Sequence, residues 1–245
     1  MDILKSFCIW IAGIFLLAFF FPFSLAIWLV VLSFDSERRV IHRILIWQSI
    51  VFKSFFPVKR CSCEGKEKID KAKAYIIISN HQSLLDTIFL NTLGLNYKWI
   101  SKAENNKIPV LGWYLWMADY ISVNRGNDES KAEMMNKAAR FLKKGISIMM
   151  FPEGTRSANG EIGFFKRGAF ALAIETRTPL LPVVIDGTGG ILPKNGFVFG
   201  AKRDITLKVL DEEPPEKFGT DNPEELALKI SAKMKESLAA MRTKI

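Results

Sequence analysis

The sequence predicts an α/β domain, a mostly parallel β-sheet flanked by helices, behind an N-terminal hydrophobic helical membrane anchor. Two observations carry this. From Lys59 onward, short apolar runs alternate with polar, helix-like stretches, the rhythm of parallel strands joined by crossover helices. Ahead of that, residues 6–34 form 29 positions without a charged side chain. The chain therefore divides into residues 1–57, a membrane-associated helical segment, and residues 58–245, a domain large enough to bury its own core.

The N-terminal run is too long and too aromatic for a cleaved signal peptide. It has the length of a single spanning helix. Pro22 sits within it, flanked by Phe20, Phe21 and Phe23, and proline removes a helix donor. The 16 residues 6–21 alone would reach only about 24 Å as helix, short of a hydrocarbon core of roughly 30 Å. A helical hairpin dipping into one leaflet is thus the alternative to a spanning helix. Arg38, Arg39 and Arg43 follow the run while only Lys5 precedes it, which places the following domain on the cytoplasmic face. Residues 40–56 are too short to span. Trp47 and the basic flanks suit a helix at headgroup level, and the same residues suit a helix packed on the domain core.

The domain reads in order as follows. Residues 74–79 are a buried strand, 83–93 a helix, 98–101 a short strand, 105–116 a helix and 120–123 a strand. Residues 129–144 are the clearest amphipathic helix, with Met134, Ala138, Phe141 and Leu142 on one side and Gly145 as its stop. A buried strand over 146–151, a helix over 168–176 and a strand over 180–185 come next. Residues 204–210 alternate as an edge strand does, and a helix opening at Pro223 runs to about residue 241.

Composition narrows the function. Lys and Arg exceed Asp and Glu by 34 to 25, a net charge of +9, which calls for an anionic partner. No dense basic run with interleaved aromatics and no zinc-finger spacing occurs, so the partner is a membrane surface or a phosphorylated compound rather than nucleic acid. Cys8, Cys61 and Cys63 make neither a disulfide framework nor a CxxC motif. Two histidines cannot build a histidine-rich metal site. Gly-x-Ser-x-Gly, a completed Gly-x-Gly-x-x-Gly and the phosphate-binding P-loop are missing from the text.

In open α/β sheets ligands sit beyond the carboxyl ends of the strands. There the first strand is followed by Asn-His-Gln-Ser-Leu-Leu-Asp, residues 80–86. His81 is the one histidine outside the membrane-proximal segment and the natural general base at neutral pH. Asp86 can orient it. Five residues of one regular helix would set the two side chains about 140° apart, so His81 must lie in the turn before the helix. The competing reading of the same letters is a Ser83-x-x-Asp86 helix cap with His81 a bystander. After the 146–151 strand comes Phe-Pro-Glu-Gly-Thr-Arg-Ser, residues 151–157. Pro152 and Gly154 force a tight turn. Arg156 can grip a phosphate, and Glu153 can orient that arginine or a substrate hydroxyl. The plainer reading is a surface turn with an exposed ion pair. Arg125 and Gly126 end the strand at 120–123.

Together these segments resemble the glycerolipid acyltransferase family, best known for 1-acylglycerol-3-phosphate acyltransferases. The family carries four ordered blocks, and this sequence is similar in each: residues 80–86; residues 102–109 with 112–125; residues 151–157 followed by Phe-Lys-Arg-Gly at 165–168; and Leu-Pro-Val-Val at 181–184. The resemblance covers roughly residues 80–186. It implies that residues 58–245 are an acyltransferase catalytic domain. It also implies transfer of an acyl chain from acyl-CoA or acyl-acyl carrier protein to a membrane lipid acceptor, with no metal and no cofactor. His81 would be the base, oriented by Asp86. Arg156, Arg125 and Lys102 would bind the acceptor phosphate, Glu153, Gly154 and Thr155 would shape that site, and Pro182 and Val183 would pack the acyl chain or thioester arm. The expected location is the cell inner membrane with the catalytic domain on its cytoplasmic face. Another acceptor, glycerol 3-phosphate or a different lysolipid, and a non-catalytic lipid-binding protein are the alternatives.

Overall fold

The computed structural model describes residues 3–243. Helix α1 (Ile3–Val31) and helix α2 (Arg39–Phe52) lead into strand β1 (Val58–Glu64). Then follow β2 (Ile76–Ser79), α3 (Asp86–Leu90), β3 (Tyr97–Lys102), α4 (Leu111–Met117), β4 (Ile121–Val123), α5 (Asp128–Lys143), β5 (Ser147–Met150) and α6 (Gly168–Thr176). The chain closes with β6 (Leu180–Asp186), α7 (Thr188–Ile191), β7 (Arg203–Val209) and α8 (Pro223–Thr243).

The seven strands form one sheet in the order β1-β7-β6-β2-β5-β3-β4. Strands β6, β2, β5, β3 and β4 are mutually parallel, whereas β7 is antiparallel to β6 and parallel to β1. The fold is therefore α/β with a mostly parallel sheet. Strand β7 is not the edge that its alternation predicts: β1 covers it. With Lys59, Arg60 and Glu64 among its seven residues, β1 lacks an apolar signature, and such charge is what protects an exposed sheet edge.

The central strands are apolar on both faces because helices cover both. Ile77, Met149, Leu181 and Val183 point into a core shared with α1, α2 and α4. Ile76, Ile78, Ile148 and Val184 point into the opposite core, filled from α5, α6 and α8. The period-two alternation of strand side chains makes this division.

Two expected helices differ. The helix expected over 105–116 is split, with a 3₁₀ turn over Ala103–Lys107 and α4 starting only at Leu111. Pro109 between them disfavours helix at the residue before it, and Val110 follows with φ +63°. Conversely, α1 runs unbroken through Pro22, so no hairpin forms there. Packing on both sides of the proline holds the helix: Leu17, Phe21, Leu25 and Trp28 all join the first core.

Helix α1 is tied to the domain near both ends. The Phe199 amide donates to Ser6 Oγ at 3.0 Å, and Trp10 Nε1 donates to the Phe197 carbonyl at 2.9 Å. Toward the other end Trp28 Nε1 donates to the Met117 carbonyl at 3.2 Å, and Gln48 Nε2 donates to Ser24 Oγ and Tyr114 Oη at 3.0 Å each. The opposite face leaves Phe7, Ile11, Phe15, Phe19, Phe23 and Ile27 exposed. Helix α2 packs on the domain core, one of the two places expected for it. It buries Ile41, His42 and Gln48 in the domain and leaves Trp47 and Ile50 outside beside α1.

Candidate active site

All five parallel strands end on one edge of the sheet, and the segments with chemical content follow them there. Asn80, just past β2, bonds the backbone of β6 twice: its Nδ2 donates to the Ile185 carbonyl at 2.8 Å, and its Oδ1 accepts from the Ile185 amide at 2.9 Å. This fixes the turn from which His81 projects.

His81 and Asp86 meet. His81 Nδ1 lies 2.7 Å from Asp86 Oδ2. The carboxylate is fully buried, while the imidazole side chain is 15% exposed. Asp86 Oδ2 also accepts the Gln82 and Ser83 amides at 2.7 and 2.9 Å, and Thr188 Oγ1 donates to Oδ1. An oxygen that accepts from its other neighbours calls for a donor at Nδ1, which leaves Nε2 as the acceptor. Asp86 Oδ2 accepts the Gln82 and Ser83 amides ahead of α3 and holds the histidine from the same oxygen, so His81 is not the bystander of the cap reading.

The loop after β5 locks onto the same turn. Glu153 is buried, and both of its oxygens are occupied: Oε1 accepts the His81 amide at 2.9 Å and Oε2 accepts the Gly163 amide at 3.0 Å. Burial raises its pKa above the usual carboxylate value, against the pull of those two amides. Glu153 thus staples the two loops and does not contact Arg156. The Ser157 amide donates to the His81 carbonyl at 2.7 Å, a second staple. Gly154 turns the chain at φ +67°, a conformation suited to glycine. Thr155 is exposed, and Arg156 is partly exposed without an ion-pair partner among the described residues.

Strands β3 and β4 place the other cations. Lys102 ends β3, pairs with Glu104 at 3.0 Å and is exposed. Arg125 follows β4, is exposed, and helps lower the Glu104 pKa, whose larger causes are a backbone hydrogen bond and Lys102. Pro182 and Val183 lie within β6, with Val183 fully buried. His81 is bonded to Asp86 through its ring and to Glu153 through its backbone amide. Lys102, Arg125 and Arg156 share the sheet edge without touching them.

Three contributors escape sequence reasoning. Phe151 stacks face to face on His81, with centroids 3.8 Å apart and planes within 7°. Trp99 stacks behind Phe151 at 5.4 Å. Thr188 reaches Asp86 from a Gly-Thr-Gly segment whose only sequence signal was an unfinished dinucleotide fingerprint. Among the described residues no cluster of three or more metal-ligating side chains occurs.

The Acyltransferase family profile matches residues 60–186, from β1 to the end of β6. The chain belongs to the Acyltransferase family. Within it, the chain is 39% identical over 166 residues to a chloroplastic 1-acyl-sn-glycerol-3-phosphate acyltransferase of Brassica napus, covering 66% of this chain and 47% of that one. A chloroplastic enzyme of the same name from Arabidopsis thaliana is 38% identical over 166 residues, covering 66% and 46%. The chain therefore spans about half the length of these curated relatives. The crystal structure of the 1-acyl-sn-glycerophosphate acyltransferase PlsC from Thermotoga maritima superposes with a TM-score of 0.85 at 25% identity, covering 98% of this chain and 96% of that one. That coverage extends the shared acyltransferase fold into the N-terminal helices.

Proposed function

We propose that this chain transfers an acyl group from a thioester donor to the sn-2 hydroxyl of 1-acylglycerol 3-phosphate, making phosphatidic acid for phospholipid synthesis. The observation that carries the proposal is the buried Asp86 holding Nδ1 of a partly exposed His81, with Nε2 left to accept a proton. The names of the Brassica, Arabidopsis and Thermotoga relatives support the acceptor.

In this reading His81 Nε2 takes the proton of the acceptor hydroxyl as its oxygen attacks the thioester carbonyl. The tetrahedral oxyanion collapses, the carbon–sulfur bond breaks, and the leaving thiolate takes the proton from the imidazolium. Asp86 stabilises that imidazolium and holds the ring orientation. Such base catalysis supplies roughly 10²–10⁴-fold, and holding the two substrates together supplies the rest. Arg156, Arg125 and Lys102 bind the acceptor phosphate.

The acceptor carries its own acyl chain, and drawing it into water costs about 0.8 kcal/mol per CH₂. The exposed apolar face of α1, continued by Trp47, Trp113 and Trp116, supports a domain seated on the bilayer. Ser6 and Trp28 are about 33 Å apart along α1, and both bond the same domain. That geometry favours α1 lying along the membrane surface over crossing it. We place residues 1–57 as this membrane-seating segment, residues 58–245 as the catalytic domain, and the whole on the cytoplasmic face of the cell inner membrane.

The test is thiol release from acyl-CoA or acyl-acyl carrier protein in detergent micelles, with and without 1-acylglycerol 3-phosphate. Acceptor-dependent release that His81→Ala abolishes is expected. Release that ignores the acceptor would mean thioester hydrolysis instead of transfer, and lysolipid binding without release from either donor would point to a lipid-binding protein.

A further inference from the structure

A cavity of about 640 Å³ opens beside the His81 turn toward β6 and β7, on the other side of β2 from Lys102 and Arg125. It begins at Gln82 and Ser157, the neighbours of the histidine turn, and extends past residues 187–190 to Lys194, Arg203 and Arg242. Lys194 follows α7, and Arg203 opens β7. Because β7 is antiparallel to β6, its first residue reaches the same sheet edge as the end of β6.

The three cations differ in their partners. Arg242 is neutralised: Asp186 lies at 3.0 Å and Glu161 at 2.6 Å. Lys194 and Arg203 have no ion-pair partner among the described residues. Arg203 is nevertheless seated. Its guanidinium lies against the Cα of Gly190, where any Cβ would overlap it. A glycine is needed there for that close approach, since its φ is not positive. The cavity thus presents two positive charges without ion-pair partners among the described residues, and the exposed Arg203 side chain lies close over Gly190.

The chemistry of the reaction says which substrate fits this flank. In the acceptor, one carbon separates the phosphate-bearing oxygen from the carbon of the reacting hydroxyl, so its phosphate must sit close to His81. In the donor, the thioester sulfur is joined to its phosphate by the whole pantetheine arm. Lys102 and Arg125 follow β3 and β4 on one side of β2, where the acceptor phosphate is read to sit, so a separate cationic pair at α7 and β7 on the other side suits the donor. We propose that Lys194 and Arg203 bind the phosphate of the donor's 4′-phosphopantetheine arm, and that this cavity is the donor channel. The proposal rests on the acyltransferase reading above. The arm is common to acyl-CoA and acyl-acyl carrier protein.

The test compares wild type with the double variant Lys194→Gln/Arg203→Gln, using acyl-CoA, acyl-acyl carrier protein and acyl-pantetheine, which lacks the phosphate. The donor KM should rise about tenfold or more for the phosphorylated donor the protein uses, while acyl-pantetheine and acceptor KM values move less than about twofold. A rise for both phosphorylated donors assigns the shared phosphate. A rise for only one tells whether the carrier protein or coenzyme A is the source. Gly190→Ala keeps both charges and displaces only the Arg203 guanidinium, so it should raise the same KM. An unchanged donor KM, a rise for acyl-pantetheine of equal size, or a rise in acceptor KM instead would overturn the proposal. Calorimetric titration of unacylated coenzyme A and of holo-carrier protein needs no turnover. Binding of either by wild type that the double variant loses supports the site even where lysophosphatidate is not acylated, which would fault the acceptor reading alone. Wild type that binds neither overturns the site.

Discussion

His81 draws its properties from three neighbours. Asp86 sets its tautomer, Glu153 and Ser157 fix its backbone, and Phe151 fixes its plane. His81→Ala should lower acyl transfer by about 10²–10⁴-fold. Transfer within tenfold of wild type would remove the residue as the base. Phe151→Leu keeps an apolar side chain but loses the stack, an interaction of about 0.5–1.5 kcal/mol. It should lower kcat up to about tenfold and leave both KM values alone. A KM effect without a kcat effect would make Phe151 a binding residue. The spacing required only that His81 lie ahead of the helix, and the family resemblance implied its pairing with Asp86. The stack was not legible, because it joins residues 70 positions apart and β2 and β5 become neighbours only in the folded sheet.

Elements show where local pattern prevails and where packing overrides it. Helix α5 forms as its periodicity dictates, capped by the Asn127 side chain accepting from Ser130 at 2.7 Å. Helix α1 persists through a proline that local preference would make a break, because core contacts on both sides offset the roughly 3 kcal/mol the proline costs. Helix α2 carries His42, whose Nδ1 meets Tyr120 Oη at 2.7 Å and whose Nε2 meets the Leu95 carbonyl at 2.9 Å. Burial pulls the His42 pKa from 6.5 to about 4. The unfolded chain protonates this histidine below about 6.5 and the folded chain resists. Its contribution is therefore complete above that pH and is lost as pH falls toward 4. The difference is about 3 kcal/mol. Denaturant midpoints measured at pH 7 and pH 4.5 should drop accordingly, and His42→Gln should shrink the gap. An equal drop in the variant would assign the acid sensitivity elsewhere. On the exposed face of α1, Phe15→Glu/Phe19→Glu should weaken vesicle sedimentation at least about tenfold per side chain, given 1.5–3 kcal/mol for each phenylalanine withdrawn from water. Sedimentation equal to wild type would mean that this face does not meet lipid.

For the whole molecule, charge and hydrophobicity point the same way. A net charge of +9 accompanies an apolar surface built from α1, α2 and α4. Binding to anionic vesicles should exceed binding to zwitterionic ones and weaken as salt shortens the screening length. Binding independent of lipid charge would leave the apolar face alone to hold the domain.

The sequence by itself determined the α/β class, most of the elements after β1 and their order, the long apolar segment and the turn that carries His81. These follow from short-range rules: the strand and helix periods, proline and glycine punctuation, and the reach of a side chain over five residues. Only the tertiary structure decided that charged β1 covers β7, that Glu153 clamps a backbone instead of Arg156, that Phe151 faces His81, and that Arg203 sits on Gly190. Each is a contact between segments far apart in sequence. Which of two chemically capable partners a side chain meets is set by which strands become neighbours, and that is decided by burying both faces of one sheet at once.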